Sequence, residues 1–213
     1  MADSVKNMLI TIGDMKDTYF VPVTTRSIEE FSRIELPKIY KYAIVSNGGI
    51  ILEDGKPMDS WEEYISDKID RMTLINVAMD MEELTSVGRA SKFIDGRYIF
   101  NKTNNADKFD IEIQSLKNKY PTIEFTRQRN KVYAIPKCFS KAIALRWLQH
   151  KLLIDKTIAV GDSELDLPML AIADYALIPK HGTLVTDNIV TDGRILEPGI
   201  ECSLQVLDIL NSI

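Results

Sequence analysis

The fold of this 213-residue chain is decided by the stretch Val160-Gly161-Asp162-Ser163-Glu164-Leu165-Asp166-Leu167-Pro168-Met169-Leu170. An apolar run over 156–160 leads into it and predicts a buried strand, and residues 165–172 have the apolar spacing of a helix. A strand, a glycine turn and a helix in this order are typical of an α/β protein. The turn places Asp162 and Asp166 at the carboxyl end of a strand, where open α/β sheets bind ligands.

These two aspartates fit two interpretations. Two carboxylates without a neighbouring base suit a hard, oxygen-liganded cation such as Mg²⁺. Alternatively, Asp162 and Ser163 cap the following helix, and Asp166 lies in its exposed first turn. The spacing alone does not separate a metal site from a helix cap.

The two ends of the chain have the pattern of an α/β core. Residues 1–52 predict a helix over 5–15, a strand over 19–24, a helix capped by Ser27, and a strand over 42–46. The last stretch predicts a helix over 141–151, strands over 156–160, 175–178 and 189–190, and helices over 165–172 and 203–210. Alternating strands and helices imply a parallel sheet with both faces covered.

Residues 53–134 predict an inserted subdomain. Its elements are, in order, a charged amphipathic helix over 60–84, a hairpin over 89–102 that turns at Asp95-Gly96, a helix over 106–119, and a hairpin that pairs 122–127 with 132–135. This order makes a compact antiparallel sheet backed by two helices. The predicted domains are therefore a core, residues 1–52 with 135–213, and an insert, residues 53–134.

Three further segments carry polar groups at predicted strand ends. Lys141 stands where an extended segment meets a helix, so it can offset phosphate charge or hold an aspartate ionised, although a solvated surface lysine is the simpler interpretation. Thr24-Thr25-Arg26 and Asn47-Gly48 also follow predicted strands. Hydroxyls and amides at such a junction can bind a phosphate oxygen, and helix capping is again the simpler alternative.

The order and spacing of these segments resemble the haloacid dehalogenase (HAD) superfamily, in its Cof-type and sucrose-phosphatase-like branch. The resemblance covers nearly the whole chain, and the Gly-Asp-Ser-x-x-Asp-x-x-Met-Leu element, residues 161–170, is its most specific part. It implies a Rossmann-like parallel-sheet core with an inserted α/β cap, residues 53–134, that selects the substrate. It also implies a phosphatase that uses Mg²⁺ and acts on a small phosphorylated metabolite such as a sugar phosphate.

The resemblance also implies roles for individual residues. Thr24, with Thr25 and Arg26 beside it, corresponds to the segment that binds the transferring phosphoryl group, and Lys141 corresponds to the family lysine. Asp162 and Asp166 correspond to the magnesium ligands, and Asn47-Gly48 matches the segment beside the substrate. Thr25 stands where the family usually has glycine, which crowds the loop. In the cap, Arg89, Arg97, Arg127 and Arg129 are candidate substrate contacts, although a solvated hairpin surface is the simpler interpretation for each.

The family's nucleophile segment, D-x-D-x-T, does not occur in these residues. In the family it ends the first, central strand of the core, and its first aspartate attacks phosphorus. The segment Asp14-Met15-Lys16-Asp17-Thr18 has lysine at the second acidic position and leaves no room for a crossover before the strand over 19–24. We therefore expect a core without its central strand and little or no turnover.

Three explanations are open: a start codon upstream, a strand from another polypeptide, or a catalytically inactive relative. The first is favoured because a sheet without its central strand leaves backbone groups unpaired. An inactive relative would be a non-catalytic protein that binds a phosphorylated ligand, and the second explanation makes this chain half of a two-chain enzyme. The sequence fixes no oligomeric state.

Composition restricts the partners. The net charge of −5 and pI near 5.2 argue against nucleic acid and anionic membrane, since both favour a basic surface. Cys138 and Cys202, like His150 and His181, lack metal-ligand spacing, so a zinc site is not expected. Two distant cysteines and no secretory signal predict a cytosolic protein with reduced thiols.

Overall fold

The computed structural model describes residues 3–37, 39–187 and 193–212. Within them the chain is a mixed α/β protein, as the sequence predicts. The helices are α1 (Asp3–Gly13), α2 (Ile28–Ser32), α3 (Asp59–Ser66), α4 (Arg71–Glu83), α5 (Ala106–Lys119), α6 (Lys141–Leu152), α7 (Leu167–Leu170), α8 (Thr183–Thr186) and α9 (Ile200–Ser212). The strands are β1 (Tyr42–Val45), β2 (Ile50–Glu53), β3 (Lys56–Pro57), β4 (Lys92–Ile94), β5 (Tyr98–Lys102), β6 (Ile123–Gln128), β7 (Lys131–Pro136), β8 (Ile158–Val160), β9 (Tyr175–Pro179) and β10 (Arg194–Leu196).

The C-terminal strands form the predicted parallel sheet, in the order β10-β9-β8. Its third strand, β10, was not predicted, and the strand predicted over 189–190 lies outside the described residues. The helix predicted over 165–172 is shorter than expected. A 3-10 turn, Glu164–Asp166, precedes α7 because Ser163 and Asp166 cap each other at its start.

The strand predicted over 19–24 is wrong as a continuous element. Only one parallel bridge forms, between Val23 and Ile44 of β1, with hydrogen bonds from the Thr24 amide to the Ile44 carbonyl (2.9 Å) and from the Ile44 amide to the Pro22 carbonyl (2.8 Å). Pro22 lacks an N–H, so it cannot extend the ladder. Within the described residues, no strand pairs with the other side of this segment, and β8 pairs with β9 alone. Whether a central strand belongs between them stays a prediction.

The inserted region contains the predicted antiparallel sheet, in the order β4-β5-β7-β6. Both predicted hairpins and the helix α5 are confirmed. The single helix predicted over 60–84 is wrong, because the structure has α3 and α4 with a break over 67–70. The Asp70 carboxylate accepts hydrogen bonds from the amides of Met72 and Thr73 and caps a new helix there. The domain boundaries at 52 and 134 stay predictions.

One hydrophobic cluster joins the inserted region to the rest of the chain. It contains Ile44 of β1, Trp61 of α3, Ile99 of β5 and Ile178 of β9, all completely buried. Trp61 also packs edge-to-face on Trp147 of α6, with 5.2 Å between the ring centroids. Within the described residues, no helix has the length and apolar character needed to cross a bilayer.

Candidate active site

The two aspartates after β8 have different environments. Asp166 is buried, and its Oδ2 atom accepts hydrogen bonds from the amides of Asp162 (3.2 Å) and Ser163 (3.1 Å) and from the Ser163 hydroxyl (2.8 Å). Asp162 is exposed, and its carboxylate has no hydrogen-bond partner among the described residues. The capping interpretation therefore describes Asp166, which orders the loop, whereas the Asp162 carboxylate is available to a ligand.

Lys141 and Asp166 form a buried ion pair. The distance from Lys141 Nζ to Asp166 Oδ1 is 2.5 Å, and each side chain is 7% exposed. Burial alone would raise the pKa of the Asp166 carboxyl, but the charge and hydrogen bond of Lys141 and the donors of Ser163 outweigh it and hold the pKa below its ordinary value. Asp166 is thus ionised at neutral pH and holds the lysine at the start of α6.

Thr24 lies at the end of the segment that pairs with β1. Its hydroxyl oxygen accepts a hydrogen bond from the Arg26 amide (3.2 Å), and its carbonyl accepts one from the Asn47 amide (3.0 Å). The hydroxyl proton of Thr24 is therefore free to point at a ligand. Thr25 is not among the residues with positive φ, so its side chain fits the local backbone without strain.

Asn47 follows β1 in a left-handed conformation with φ of 57°. Its side chain is buried, and its Oδ1 atom has no hydrogen-bond partner among the described residues. Buried polar atoms are normally paired, so this oxygen marks a place where a ligand or water completes the site. Gly48, with φ of 92°, packs against the Ser140 carbonyl so closely that a methyl group would overlap it.

The predicted site residues form a continuous set of contacts. Thr24 contacts Asn47, Gly48 packs on the start of α6, Lys141 pairs with Asp166, and Asp166 binds the Asp162 amide. These residues come from four segments: the bridge at Val23, the end of β1, the start of α6 and the end of β8. Among the described residues, no group of three or more His, Cys, Asp or Glu side chains lies together.

A cleft of about 560 Å³ lies beside this set, between the predicted core and the predicted cap. Thr25 and Arg26, on the core side, belong to the predicted site. Its other lining residues are Glu30, Arg33, Ile94, Tyr98, Phe100, Lys131 and Tyr133. Three of the lining side chains are cationic and one is anionic, which favours an anionic ligand.

The four cap arginines do not line this cleft. Arg97 pairs with Glu62, and Arg127 binds Asp110 through two nitrogens, at 2.6 and 3.0 Å. Arg89 is exposed, and Arg129 lies in the β6–β7 turn. Arg97 and Arg127 therefore each form an ion pair within the inserted region, and a role in substrate binding stays a prediction for all four arginines.

Sequence reasoning missed two contributors from distant parts of the chain. Asp95 and Tyr98, in the β4–β5 hairpin, bond to the loops that carry Ser46 and Thr25. The Leu184 amide and the Thr183 hydroxyl both donate to the Asp162 carbonyl, each at 3.2 Å. The sequence Asp95-Gly96 predicted a turn and no site contact, and the sequence around Thr183 predicted no site contact either.

Residues 78–183 match the family model of haloacid dehalogenase-like hydrolases. The chain belongs to the haloacid dehalogenase-like superfamily. The match covers most of the inserted region, α6 and the Asp162 loop, so this HAD chain includes both the cap-like sheet and one edge of the site. No curated protein sequence matches it.

Solved structures share the fold of this HAD chain at low sequence identity. The sucrose phosphatase from Synechocystis sp. PCC6803, solved with sucrose and phosphate, has a TM-score of 0.79 and 16% identity, over 98% of this chain and 91% of that one. A protein from Thermoplasma acidophilum has a TM-score of 0.74 and 13% identity, over 100% and 91% of the two chains. A HAD subclass IIB sugar phosphatase has a TM-score of 0.71 and 14% identity, over 100% and 93%.

Proposed function

We propose that this HAD protein is a magnesium-dependent phosphomonoester hydrolase of a small phosphorylated metabolite such as a sugar phosphate. The observation that carries the proposal is the contact set from Thr24 to Asp162, which gathers a hydroxyl, an ammonium group and carboxylates at neighbouring strand ends. Phosphoryl transfer depends mainly on positioning and on neutralising charge, and these groups do both.

The phosphoryl group is held by Thr24 and Lys141. The Thr24 hydroxyl donates to a phosphate oxygen, since its own oxygen is already oriented by the Arg26 amide. Lys141 donates one N–H to Asp166, and its other two N–H groups are available to phosphate oxygens. Asn47 supplies the buried Oδ1 that lacks a partner among the described residues, and it accepts from a substrate hydroxyl or a water.

The residues present fit Mg²⁺. This ion is usually bound by one or two carboxylates, together with waters and substrate phosphates. The Asp162 carboxylate is exposed at the strand end, and the unpartnered Asn47 oxygen marks an incomplete polar site within the described residues. Asp162 would hold the ion, and Asp166 would position Lys141 and the loop. The ion, when bound, neutralises phosphoryl charge.

The cleft between the predicted core and the predicted cap supports the proposed substrate class. Its volume of about 560 Å³ lies within the range typical of small-molecule sites. Arg26 and Lys131 contribute positive charge and Phe100 contributes an apolar ring, a combination that suits a phosphorylated carbohydrate. Two of the similar structures are a sucrose phosphatase and a sugar phosphatase, which supports the same class.

The proposed reaction needs a carboxylate that attacks phosphorus. The 213 residues contain no D-x-D-x-T segment, so we expect this chain alone to turn over little or no substrate. An added strand that carries the segment would pair with the sides of the Val23 segment and of β8 that have no partner among the described residues, and it would supply the attacking carboxylate. The intact mass of the natural protein, compared with the 24.2 kDa of these 213 residues, shows whether the cell makes a longer chain.

A second candidate is a non-catalytic protein that binds a phosphorylated ligand in this site, where the buried Asn47 oxygen has no partner among the described residues. It predicts that the 213-residue chain is folded and is stabilised by phosphorylated sugars without consuming them. A third arrangement, a two-chain enzyme, predicts a stable complex with a second polypeptide. For each, the free cysteines Cys138 and Cys202 agree with a cytosolic location.

The test is phosphate release from a broad panel of phosphate esters. Two chains are compared: the 213-residue chain, and the same chain preceded by a strand with D-x-D-x-T. The matched control carries the added strand with its first aspartate changed to asparagine. We expect release from the D-x-D-x-T chain alone, in Mg²⁺ and not in EDTA. A folded D-x-D-x-T chain that hydrolyses no ester rules out the enzyme.

A further inference from the structure

The Asp95-Gly96 turn of the predicted cap bonds to two loops of the predicted core. The Asp95 Oδ2 atom accepts a hydrogen bond from the Ser46 hydroxyl and another from the Ile28 amide, the latter at 2.9 Å. Ser46 directly precedes Asn47, and Ile28 follows the Thr24-Thr25-Arg26-Ser27 segment. One carboxylate therefore bridges the two loops that carry the proposed substrate contacts.

Tyr98, three residues further on, makes a second bond of the same kind. Its hydroxyl donates to the Thr25 carbonyl at 2.6 Å, and the residue is 3% exposed. Burial raises the pKa of this phenol, so it stays a proton donor throughout the physiological range. The β4–β5 hairpin thus bonds to the Thr24 loop on both sides of Arg26, at Thr25 and at Ile28.

The two core loops also bond to each other. The Asn47 amide donates to the Thr24 carbonyl (3.0 Å), and the Ser46 amide donates to the Arg26 carbonyl (2.8 Å). These backbone bonds set the spacing of the loops but leave the side chain of Ser46 and the amide of Ile28 to be satisfied. The Asp95 carboxylate accepts a hydrogen bond from each of them, and no other side chain among the described residues does.

We infer that Asp95 is a positioning residue that fixes the Thr24 loop against the Asn47 loop from the cap side. It contacts no reacting atom in this arrangement and acts through Ser46 and Ile28. Its removal frees the Ile28 amide and the Ser46 hydroxyl, leaves the two loops held by their backbone bonds alone, and weakens phosphate binding. The part of the inference that concerns phosphate rests on the proposed function.

The chain contains a matched control for this residue. Asp54 has φ of 50° and precedes Gly55, as Asp95 has φ of 48° and precedes Gly96, so both begin a hairpin turn in the left-handed conformation, although the turn has two residues at Asp54 and three at Asp95. Asp54 is exposed, and its side chain has no hydrogen bond within the described residues. Asp54→Ala should therefore change stability through the turn backbone, as Asp95→Ala does, but it removes no hydrogen bond between the loops.

The experiment uses amide hydrogen exchange and phosphate titration on the 213-residue chain and its variants. Asp95→Ala should speed exchange at Ile28, while Asp54→Ala should not. Inorganic phosphate, titrated in Mg²⁺, should bind Asp95→Ala more weakly by about 5- to 150-fold, the usual range of coupling between sites. Asp95→Asn keeps an acceptor oxygen and should restore most of both effects, which a general loss of stability would not do.

The outcomes separate this inference from the proposed function. Equal Ile28 exchange in Asp95→Ala and Asp54→Ala overturns the positioning role, as does unchanged phosphate affinity in Asp95→Ala. If the unmodified chain is folded but binds no phosphate, the proposed function fails, and Ile28 exchange alone decides whether Asp95 fixes the loops. If Asp95→Ala does not fold, Asp95→Asn and Ser46→Ala are compared with Asp54→Ala in the same way.

Discussion

Lys141 and Asp166 form the most buried ion pair among the described residues, and it joins the start of α6 to the loop that presents Asp162. The pair connects two parts of the chain that are 25 residues apart. It thereby holds a cation against the loop that carries the carboxylate we assign to the metal.

Lys141→Met should destabilise the fold strongly. The change leaves the Asp166 carboxylate buried without its counter-charge, which typically costs about 3–5 kcal/mol. Urea unfolding measures the free energy. Lys180→Met is the control, since Lys180 pairs with Glu197 at 3.5 Å with both side chains more than half exposed, and should cost less than about 1 kcal/mol. Equal costs for the two variants would mean that the buried pair does not hold the loop.

The stability of the chain should depend on pH through Asp166. Because its folded pKa lies below the ordinary value of 3.8, the ionised carboxyl stabilises the fold above that pH, and this contribution is lost as the pH falls through the folded pKa. Acidification should therefore cost the unmodified chain more stability than it costs Asp166→Asn. Unfolding curves between about pH 6 and pH 3 measure the difference. Parallel losses in the two proteins would show that Asp166 has an ordinary pKa.

Gly48→Ala should disrupt the site more than its backbone conformation alone explains. Gly48 has φ of 92°, and a methyl group there overlaps the Ser140 carbonyl at the start of α6. Gly55→Ala is the control, because Gly55 has φ of 78° with no atom within 4 Å. The left-handed conformation should cost each variant roughly 1–2 kcal/mol, and Gly48→Ala should lose more.

The measurement is again the free energy of unfolding, with phosphate binding as a second readout. Gly55→Ala should bind phosphate normally, and Gly48→Ala should bind it weakly because α6 and Lys141 are displaced. If both glycine variants lose equal stability and both bind phosphate, the close packing of Gly48 on α6 is unimportant to the site.

Local signals in the sequence predicted most of the elements. Ser27 caps α2 with Glu30, and Ser140 caps α6, as expected from residues whose side chains bond to nearby amides. The break before Asp70 was not predicted, because residues 60–84 have the pattern of one continuous amphipathic helix. The prediction of a strand over 19–24 was wrong because Pro22 has no N–H to donate to a neighbouring strand. Apolar content alone does not show whether such pairing is possible.

The contacts that assemble the site are long-range, and the sequence alone did not predict them. Asp95 bonds to Ser46 across 49 positions, and Tyr98 bonds to Thr25 across 73. No local pattern specifies such a partner, since both depend on how the hairpin packs on the core. The pairing of Arg97 with Glu62 and of Arg127 with Asp110 was missed for the same reason.

The most direct test of the site is calorimetric titration of the 213-residue chain with inorganic phosphate, with and without Mg²⁺. The unmodified chain should bind phosphate more tightly in Mg²⁺, Asp162→Asn should lose the effect of Mg²⁺, and Thr24→Val should bind phosphate weakly in either condition. A folded chain that binds no phosphate, or an Asp162→Asn variant with an undiminished Mg²⁺ effect, would contradict the account.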